Sequence, residues 1–213
     1  MERLTFNQEA VVLDEQLNEH ERINVTPEFI IYNQFLNQLH LPFEKWAYEK
    51  EVRGVVLVEK HAEMEELDTF IFKELDYTRL VSPLHLYSYY LLQLFLGNAL
   101  NFNGIGVLRE RKSHFVFLDT AFEISNMIEP NFKLNNLGRF LLKRGRKEEL
   151  LITHETFFVL LDQKFKSKIL NALTLYQSET GVNIDKLNMI DAVLNQRRLE
   201  KLKAFSLKQI ELL

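Results

Sequence analysis

The stretch of sequence that decides the fold is SPLHLYSYYLLQLFLG, residues 82–97. Ser82-Pro83 is a typical helix start, because proline fits the first helical position, and Gly97 is a typical helix end. Between them, apolar side chains occur on nearly every side of a helix, and such a helix is stable only when it is buried all round. We therefore predict that this helix is the central element of the core. The apolar run is too short to span a bilayer.

Working outward from this helix, most of the chain also carries helical patterns. Thr26-Pro27 predicts another helix start, and apolar residues follow it at helical spacing as far as Pro42, which ends the helix. Thr153 is a candidate N-cap for a later helix. The remaining helices are predicted at residues 43–52, 61–76, 134–143, 154–162, 165–178 and 184–204.

Two short segments have the pattern of β-strands. Residues 4–13 alternate apolar and polar side chains. Farther along, an apolar pair at 107–108 and an apolar run at 115–118 flank the polar segment 109–113. The second pattern predicts a β-hairpin with a basic tip. We therefore expect a mainly α fold with a minor β component (α+β), a helix-rich globular protein with a short N-terminal strand and a central β-hairpin.

Charge divides the chain into two halves. Residues 1–100 contain 8 Lys/Arg against 17 Asp/Glu, a net charge of −9, whereas residues 101–213 contain 18 against 13, a net charge of +5. The sequence therefore predicts an acidic, mostly helical N-terminal half, 1–100, and a basic C-terminal half, 101–213. The C-terminal half would hold the central hairpin and a terminal helical pair, and the two halves could form one continuous domain. Such an asymmetry favours a surface that faces a polyanion.

Composition and missing motifs exclude several classes of function. The chain has no cysteine, which excludes disulfides, thiolate zinc sites and cysteine nucleophiles. It also lacks a phosphate-binding loop, a complete dinucleotide fingerprint and a nucleophile elbow. The first residues do not have the pattern of a signal peptide. We expect a cytoplasmic protein without a membrane segment, cofactor or catalytic residues.

Two sparse patterns leave a metal site open as an alternative. His61 and Glu65 are four residues apart in the predicted helix 61–76, but a transition-metal site needs three or four ligands. Asp119 and Glu123, with a lysine across the hairpin, could hold Mg²⁺ in a divergent nuclease. Because no further ligand is evident at either place, we expect no metal and rank a metal-dependent nuclease last.

Basic residues form three clusters in the C-terminal half. Binding to nucleic acid needs several cations within reach of successive phosphates, and much of the affinity comes from counterion release. The alternative is that these side chains are solvated and favour helix C-termini, and Glu148 and Glu149 dilute the densest cluster. The clusters lie at residues 109–112, 139–147 and 197–203, and Lys203 belongs to the third. The candidate nucleic-acid-binding residues are Arg109, Arg111, Lys112, Arg139, Lys143, Arg144, Arg146, Lys147, Arg197, Arg198 and Lys201.

Residues 166–198 resemble a helix-turn-helix motif. Residues 179–183 look like its turn, and Leu187 and Ile190 fall where the second helix would pack on the first. Asp185 and Asp191 depart from the pattern, because they would repel phosphates on the helix that reads DNA. Gln177 also stands where a small residue is wanted.

The favoured alternative to a helix-turn-helix is a plain helical hairpin. Gly181 would then end the first helix and Asn183 would cap the second.

Taken together, these patterns favour a non-catalytic accessory or regulatory protein that binds DNA or RNA through its basic C-terminal half. The acidic N-terminal half would face away from the nucleic acid or contact a protein partner. The main alternative is a protein–protein adaptor or complex subunit that binds no nucleic acid. A continuous positive surface would favour the first function, and dispersed clusters would favour the second.

Overall fold

The computed structural model describes about half of the chain in full. Backbone and side chains are described for residues 26–41, 86–97, 124, 127 and 132–213, and the backbone alone for residues 83–85 and for six short strands. Within the fully described part, 79% of residues are helical and none is in a strand. This part of the molecule is therefore mainly helical.

Seven helices lie in the described part of the chain. Their bounds are α1 Pro27–Gln38, α2 Pro83–Leu96, α3 Asn136–Arg144, α4 Lys147–Leu160, α5 Gln163–Thr180, α6 Lys186–Val193 and α7 Gln196–Glu211.

The predicted α+β fold is wrong, because the fully described part of the chain is a mainly helical fold with no sheet or hairpin in it. The physical reason is the amount of apolar surface that each pattern can bury. The helical segments carry long apolar faces that pack on one another in a common core. The described core is made mainly of these helical faces.

Strand backbone is assigned outside this helical part. The strands are β1 Glu9–Leu13, β2 Glu19–Asn24, β3 Val56–Leu57, β4 Met64–Glu66, β5 Ile105–Leu108 and β6 Phe115–Phe117. They form two three-stranded sheets, in the orders β2-β1-β3 and β4-β5-β6. β1 is antiparallel to β2 and parallel to β3, and β5 is antiparallel to both of its neighbours. Because Met64–Glu66 is a strand, the helix predicted at 61–76 is wrong at these residues.

Helix α2 lies in the core, as the opening stretch of sequence predicted. Leu86, Leu91, Leu92 and Phe95 are fully buried, and Leu94 is partly buried. The helix packs against α3, α4 and α7. Its apolar side chains therefore pack against neighbouring helices on several sides. Gly97, which has a positive φ of 84°, follows the helix.

Aromatic side chains and one polar network join α1 to the rest of the core. The Phe35 ring lies 5.9 Å from the Phe95 ring and 4.9 Å from the Phe165 ring, which links α1, α2 and α5. Gln93 Nε2 donates a 2.9 Å hydrogen bond to Tyr32 Oη. Because Gln93 and Tyr32 are both buried, this bond satisfies polar atoms that are shielded from water.

Capping residues explain several helix starts and ends. Thr26 Oγ1 accepts a 3.2 Å hydrogen bond from the Phe29 N–H, which confirms the predicted start of α1. Gly181, with φ of 71°, ends α5 as predicted. The predicted helix 184–204 is divided in the structure, because Asn195 interrupts it and caps α7 through the Arg198 N–H at 3.1 Å.

Two predicted caps are wrong. Thr153 lies inside α4, where its hydroxyl donates to the Glu149 carbonyl at 2.8 Å, and the helix starts seven residues earlier than the threonine would place it. Asn183 lies outside α6, which Asp185 caps by accepting from the Asn188 N–H at 3.2 Å. In both cases a residue with capping chemistry stands near a helix that another residue begins.

Candidate nucleic-acid interface

The densest basic cluster lies on the corner between α3 and α4. Asn135 Oδ1 accepts a 2.8 Å hydrogen bond from the Gly138 N–H and so begins α3. The helix ends at Arg144, and the extended backbone of Gly145 (φ −74°, ψ 149°) leads to Arg146, the N-cap of α4. We call the five cations on this turn the basic corner: Arg139, Lys143, Arg144, Arg146 and Lys147.

All five side chains of the basic corner are exposed. Leu137, Leu141 and Leu142 on α3 are buried. At 100° per residue, Arg139 and Lys143 lie about 40° apart on the opposite, solvent side of the helix. The Arg144 guanidinium lies 5.9 Å from the centre of the Phe140 ring, a cation–π contact that limits where the charge can move.

The first turn of α4 adds backbone donors to the corner. Arg146 makes no side-chain hydrogen bond to the first turn, so no N-cap side chain satisfies the N–H groups that begin α4. A helix N-terminus favours negative charge. Glu148 and Glu149 in this turn provide some of that negative charge, and they also offset the positive charge of the basic corner.

A single contact places the end of α7 beside the basic corner. Lys147 Nζ donates a 3.1 Å hydrogen bond to the backbone carbonyl of Glu211. Lys208, which is exposed and one turn earlier on α7, therefore lies near the corner. The candidates chosen from the sequence did not include Lys208, because its isolation in the chain hides a proximity that the packing of α4 and α7 creates.

The exposed cations of α7 form a stripe. Arg197, Lys201 and Lys208 are exposed and fall within about 40° of one another around the helix axis. Lys203 lies on another side, with its Nζ 5.9 Å from the centre of the Phe158 ring. The contact of Lys147 with Glu211 places the basic corner at the C-terminal end of α7, and Lys201 and Arg197 lie about 15 and 21 Å farther along the helix.

Arg198 is buried rather than exposed, although it was among the candidate nucleic-acid contacts. Its side chain is 5% exposed, and its Nε donates a 2.5 Å hydrogen bond to the Phe95 carbonyl. Its Nη2 lies 3.4 Å from the Leu94 carbonyl, and the guanidinium lies 5.6 Å from the centre of the Phe132 ring. Burial lowers the pKa of Arg198. This arginine serves the C-terminus of α2, and a phosphate cannot reach it.

The remaining site candidates lie elsewhere. Arg109, Arg111 and Lys112 lie outside the described residues. Glu65 belongs to strand β4, so it does not share a helix face with His61 as the metal hypothesis required. In the part of the chain that the structure describes, no group of three or more His, Asp or Glu side chains could hold a metal ion.

The segment that resembles a helix-turn-helix forms α5, a short loop and α6. Gln177 on α5 is linked to α6 by a hydrogen bond, in which its Oε1 accepts from Lys186 Nζ. Its Nε2 also lies 3.5 Å from Asn183 Oδ1. Asp185 and Asp191 are exposed on α6. A polar bridge therefore stands where the motif has a small residue, and two negative charges stand on the helix that would read DNA.

Comparison of the chain with family models, with curated proteins and with solved structures finds no match. Among the described helices, none is long and apolar enough to cross a membrane. The function therefore has to be inferred from the geometry of the surface.

Proposed function

We propose that this protein binds nucleic acid without catalysis, through the phosphate backbone, at the basic corner and the adjoining stripe of α7. The observation that carries the proposal is the position of five exposed cations within nine residues of chain, 139–147, on one turn between two helices. A turn of this kind presents charges in several directions at close spacing. A nucleic acid backbone offers phosphates at similarly close spacing.

The charge of the surrounding helical part supports the same function. Residues 132–213 contain 15 Lys/Arg against 9 Asp/Glu, a net charge of +6. The contact between Lys147 and Glu211 adds Lys208 to the surface and extends it toward Lys201 and Arg197. Long-range attraction of a polyanion depends on this kind of joined surface more than on any single pair.

The chemistry favours binding that is insensitive to sequence. The corner offers charged side chains and the N–H groups of a helix start, which are ligands for phosphate oxygens and carry no base information. The negative charges on α6 disfavour base reading by that helix. We therefore expect similar affinity for nucleic acids of different sequence and strong weakening by salt.

The test is direct binding measured by fluorescence anisotropy. Labelled single-stranded DNA, duplex DNA and single-stranded RNA are titrated with the full chain at about 50 and 200 mM salt. We expect binding at the lower salt and a steep loss at the higher. Reversing four charges of the corner (R139E, K143E, R144E and R146E) should abolish binding, while the circular dichroism spectrum stays unchanged because exposed charges contribute little to stability.

Two further variants make the result specific to the corner. The double variant K143E/R146E in the corner should weaken binding strongly. Lys164 and Lys168 are exposed on α5, so K164E/K168E is its matched control and should bind almost as wild type. Removing the opposing charges, E148Q/E149Q, should raise the affinity. Absence of wild-type binding to every nucleic acid at about 50 mM salt would contradict the proposal and favour a protein–protein adaptor.

A further inference from the structure

Helix α4 exposes two large aliphatic side chains on its solvent side. Ile152 is 61% exposed and Val159 is 71% exposed. They are seven residues apart and lie about 20° apart around the helix axis. Glu148, Glu155 and Thr156 are exposed on the same side. We call these five residues the outer face of α4.

The packing of α4 does not need these aliphatic side chains. Its opposite side already buries Leu150, Thr153, His154 and Phe157 in contacts with α2 and α7. Isoleucine, valine and threonine are also poorer helix formers than alanine, leucine or glutamate, so helix stability does not favour them at solvent positions. Burial of these two side chains against a partner would therefore stabilise a complex.

Charge selects among the occupants that could cover this face. Glu148 and Glu155 place negative charge beside the two aliphatic residues, within a helical part whose net charge is positive. Positive charge opposite these two carboxylates would stabilise an interface on this face. Complementary charge therefore has to come from a basic partner.

A second copy of the chain fits poorly. Two α4 helices that paired antiparallel, with Ile152 against Val159 of the other copy, would have their two-fold axis between residues 155 and 156. That arrangement places the two Glu155 carboxylates close together, and like charges in an interface oppose association.

We propose that the outer face of α4 binds a basic amphipathic helix of a partner protein. The partner helix would have two aliphatic side chains at a spacing of seven residues to contact Ile152 and Val159. Its lysine or arginine residues, three or four positions away, would pair with Glu148 and Glu155. This surface adjoins the basic corner at Glu148, but the proposal does not depend on the phosphate contacts of the corner.

The experiment uses two labelled helical peptides of about 18 residues, a length that forms several turns. Both have leucines seven residues apart, and one has lysines and the other glutamates at the flanking positions. The full-length protein is titrated with each peptide by fluorescence anisotropy at about 100 mM salt. The lysine peptide should bind at least about tenfold more tightly than the glutamate peptide.

Variants of the protein locate the binding site. I152S/V159S should weaken binding of the lysine peptide at least about tenfold, because neither apolar side chain remains to meet the leucines. L187S is the matched control, since Leu187 is 66% exposed on α6, and it should leave peptide binding unchanged. E148K/E155K should reverse the preference, so that the glutamate peptide binds more tightly than the lysine peptide.

Three results would overturn this proposal. One is no binding of the lysine peptide up to about 1 mM. Another is equal binding of the two peptides, which would indicate unspecific apolar contact. The third is a concentration-dependent dimer in sedimentation that I152S/V159S abolishes, which would identify a second copy as the occupant. Nucleic-acid binding of I152S/V159S should equal that of the wild type, so the two proposals fail independently.

Discussion

Arg198 on α7 donates a 2.5 Å hydrogen bond from Nε to the backbone carbonyl of Phe95 in the last turn of α2. The last carbonyls of a helix have no partner within the helix, and α2 is buried at this end. A charged donor from a helix more than a hundred residues later satisfies what the local chain cannot. This hydrogen bond fixes α7 against the central helix.

Replacing Arg198 should therefore destabilise the fold. R198A removes the donor that reaches the Phe95 carbonyl, and we expect a loss of about 1–3 kcal/mol in the free energy of unfolding. Urea denaturation measures the change. K201A on the exposed side of the same helix should change stability by less than about 0.5 kcal/mol, and an equal loss in both variants would contradict the role given to Arg198.

Gly138 permits the close approach of α3 to α2. A Cβ at this position would overlap Tyr90 Oη and Cζ. G138A should destabilise the protein by about 1–3 kcal/mol, because the closely packed ring has to move. Thermal unfolding gives the value.

The matched variant for this close approach is Y90F. Burial raises the pKa of Tyr90 to about 12, and a backbone hydrogen bond with Asn135 opposes this shift. Removing this hydroxyl should cost little alone and should restore part of the stability of G138A. A double variant no more stable than G138A would show that the clash lies elsewhere.

Truncation of α2 should have the largest effect. Leu92 and Phe95 are fully buried, so L92A or F95A should lower the free energy of unfolding by about 2–5 kcal/mol, through reduced burial and the cavity that remains. Losses below about 1 kcal/mol at both positions would mean that α2 is not the centre of the core. Chemical denaturation distinguishes the two results.

His154 should make stability depend on pH. It is buried between α4 and α7, its neutral ring donates from Nε2 to the Lys203 carbonyl at 3.2 Å, and Nδ1 has no partner in the described part. Burial lowers the pKa of His154, opposed by the hydrogen bond to the Lys203 backbone and the charge of Glu155 and assisted by the charge of Lys203. The folded protein thus keeps His154 neutral in a range where the unfolded chain binds a proton.

The sign follows from this difference in proton binding. The contribution of His154 to the free energy of unfolding should be fully present above the ordinary histidine pKa of about 6.5. It should be lost as pH falls below that value, at no more than about 1.4 kcal/mol per pH unit. Denaturation midpoints of the wild type and H154Q between about pH 7.5 and 5 test this, since the variant should lose part of the slope. Identical slopes would contradict it.

Local chemistry made part of this structure predictable. Thr26-Pro27 and Gly181 act through backbone geometry within a few residues, and the apolar run of α2 required burial wherever it lay. The start of α4 was not predictable, because Arg146 carries no capping chemistry while Thr153 does. The predicted α+β fold is wrong for the fully described part of the chain, where long helical faces form the core.

The candidate site shows the same division. The exposure of the basic corner was predictable from the sequence, because its charged residues lie close together in the chain. The burial of Arg198 and the position of Lys208 depend on how α7 packs against α2 and α4. The spacing of Arg198, Leu202, Ser206 and Ile210, four residues apart on the buried side of α7, was the one signal that could have placed this arginine in the core.

The most direct test of the proposed function is the salt dependence of nucleic-acid binding at the basic corner. Affinity for a single-stranded DNA is measured at several salt concentrations for the wild type, for K143Q/R146Q and for K164Q/K168Q. We predict that the slope of log affinity against log salt falls by about 0.7 for each phosphate that K143Q/R146Q no longer neutralises. We predict no change in K164Q/K168Q. Equal slopes in all three proteins would contradict the claim that the corner between α3 and α4 binds phosphates.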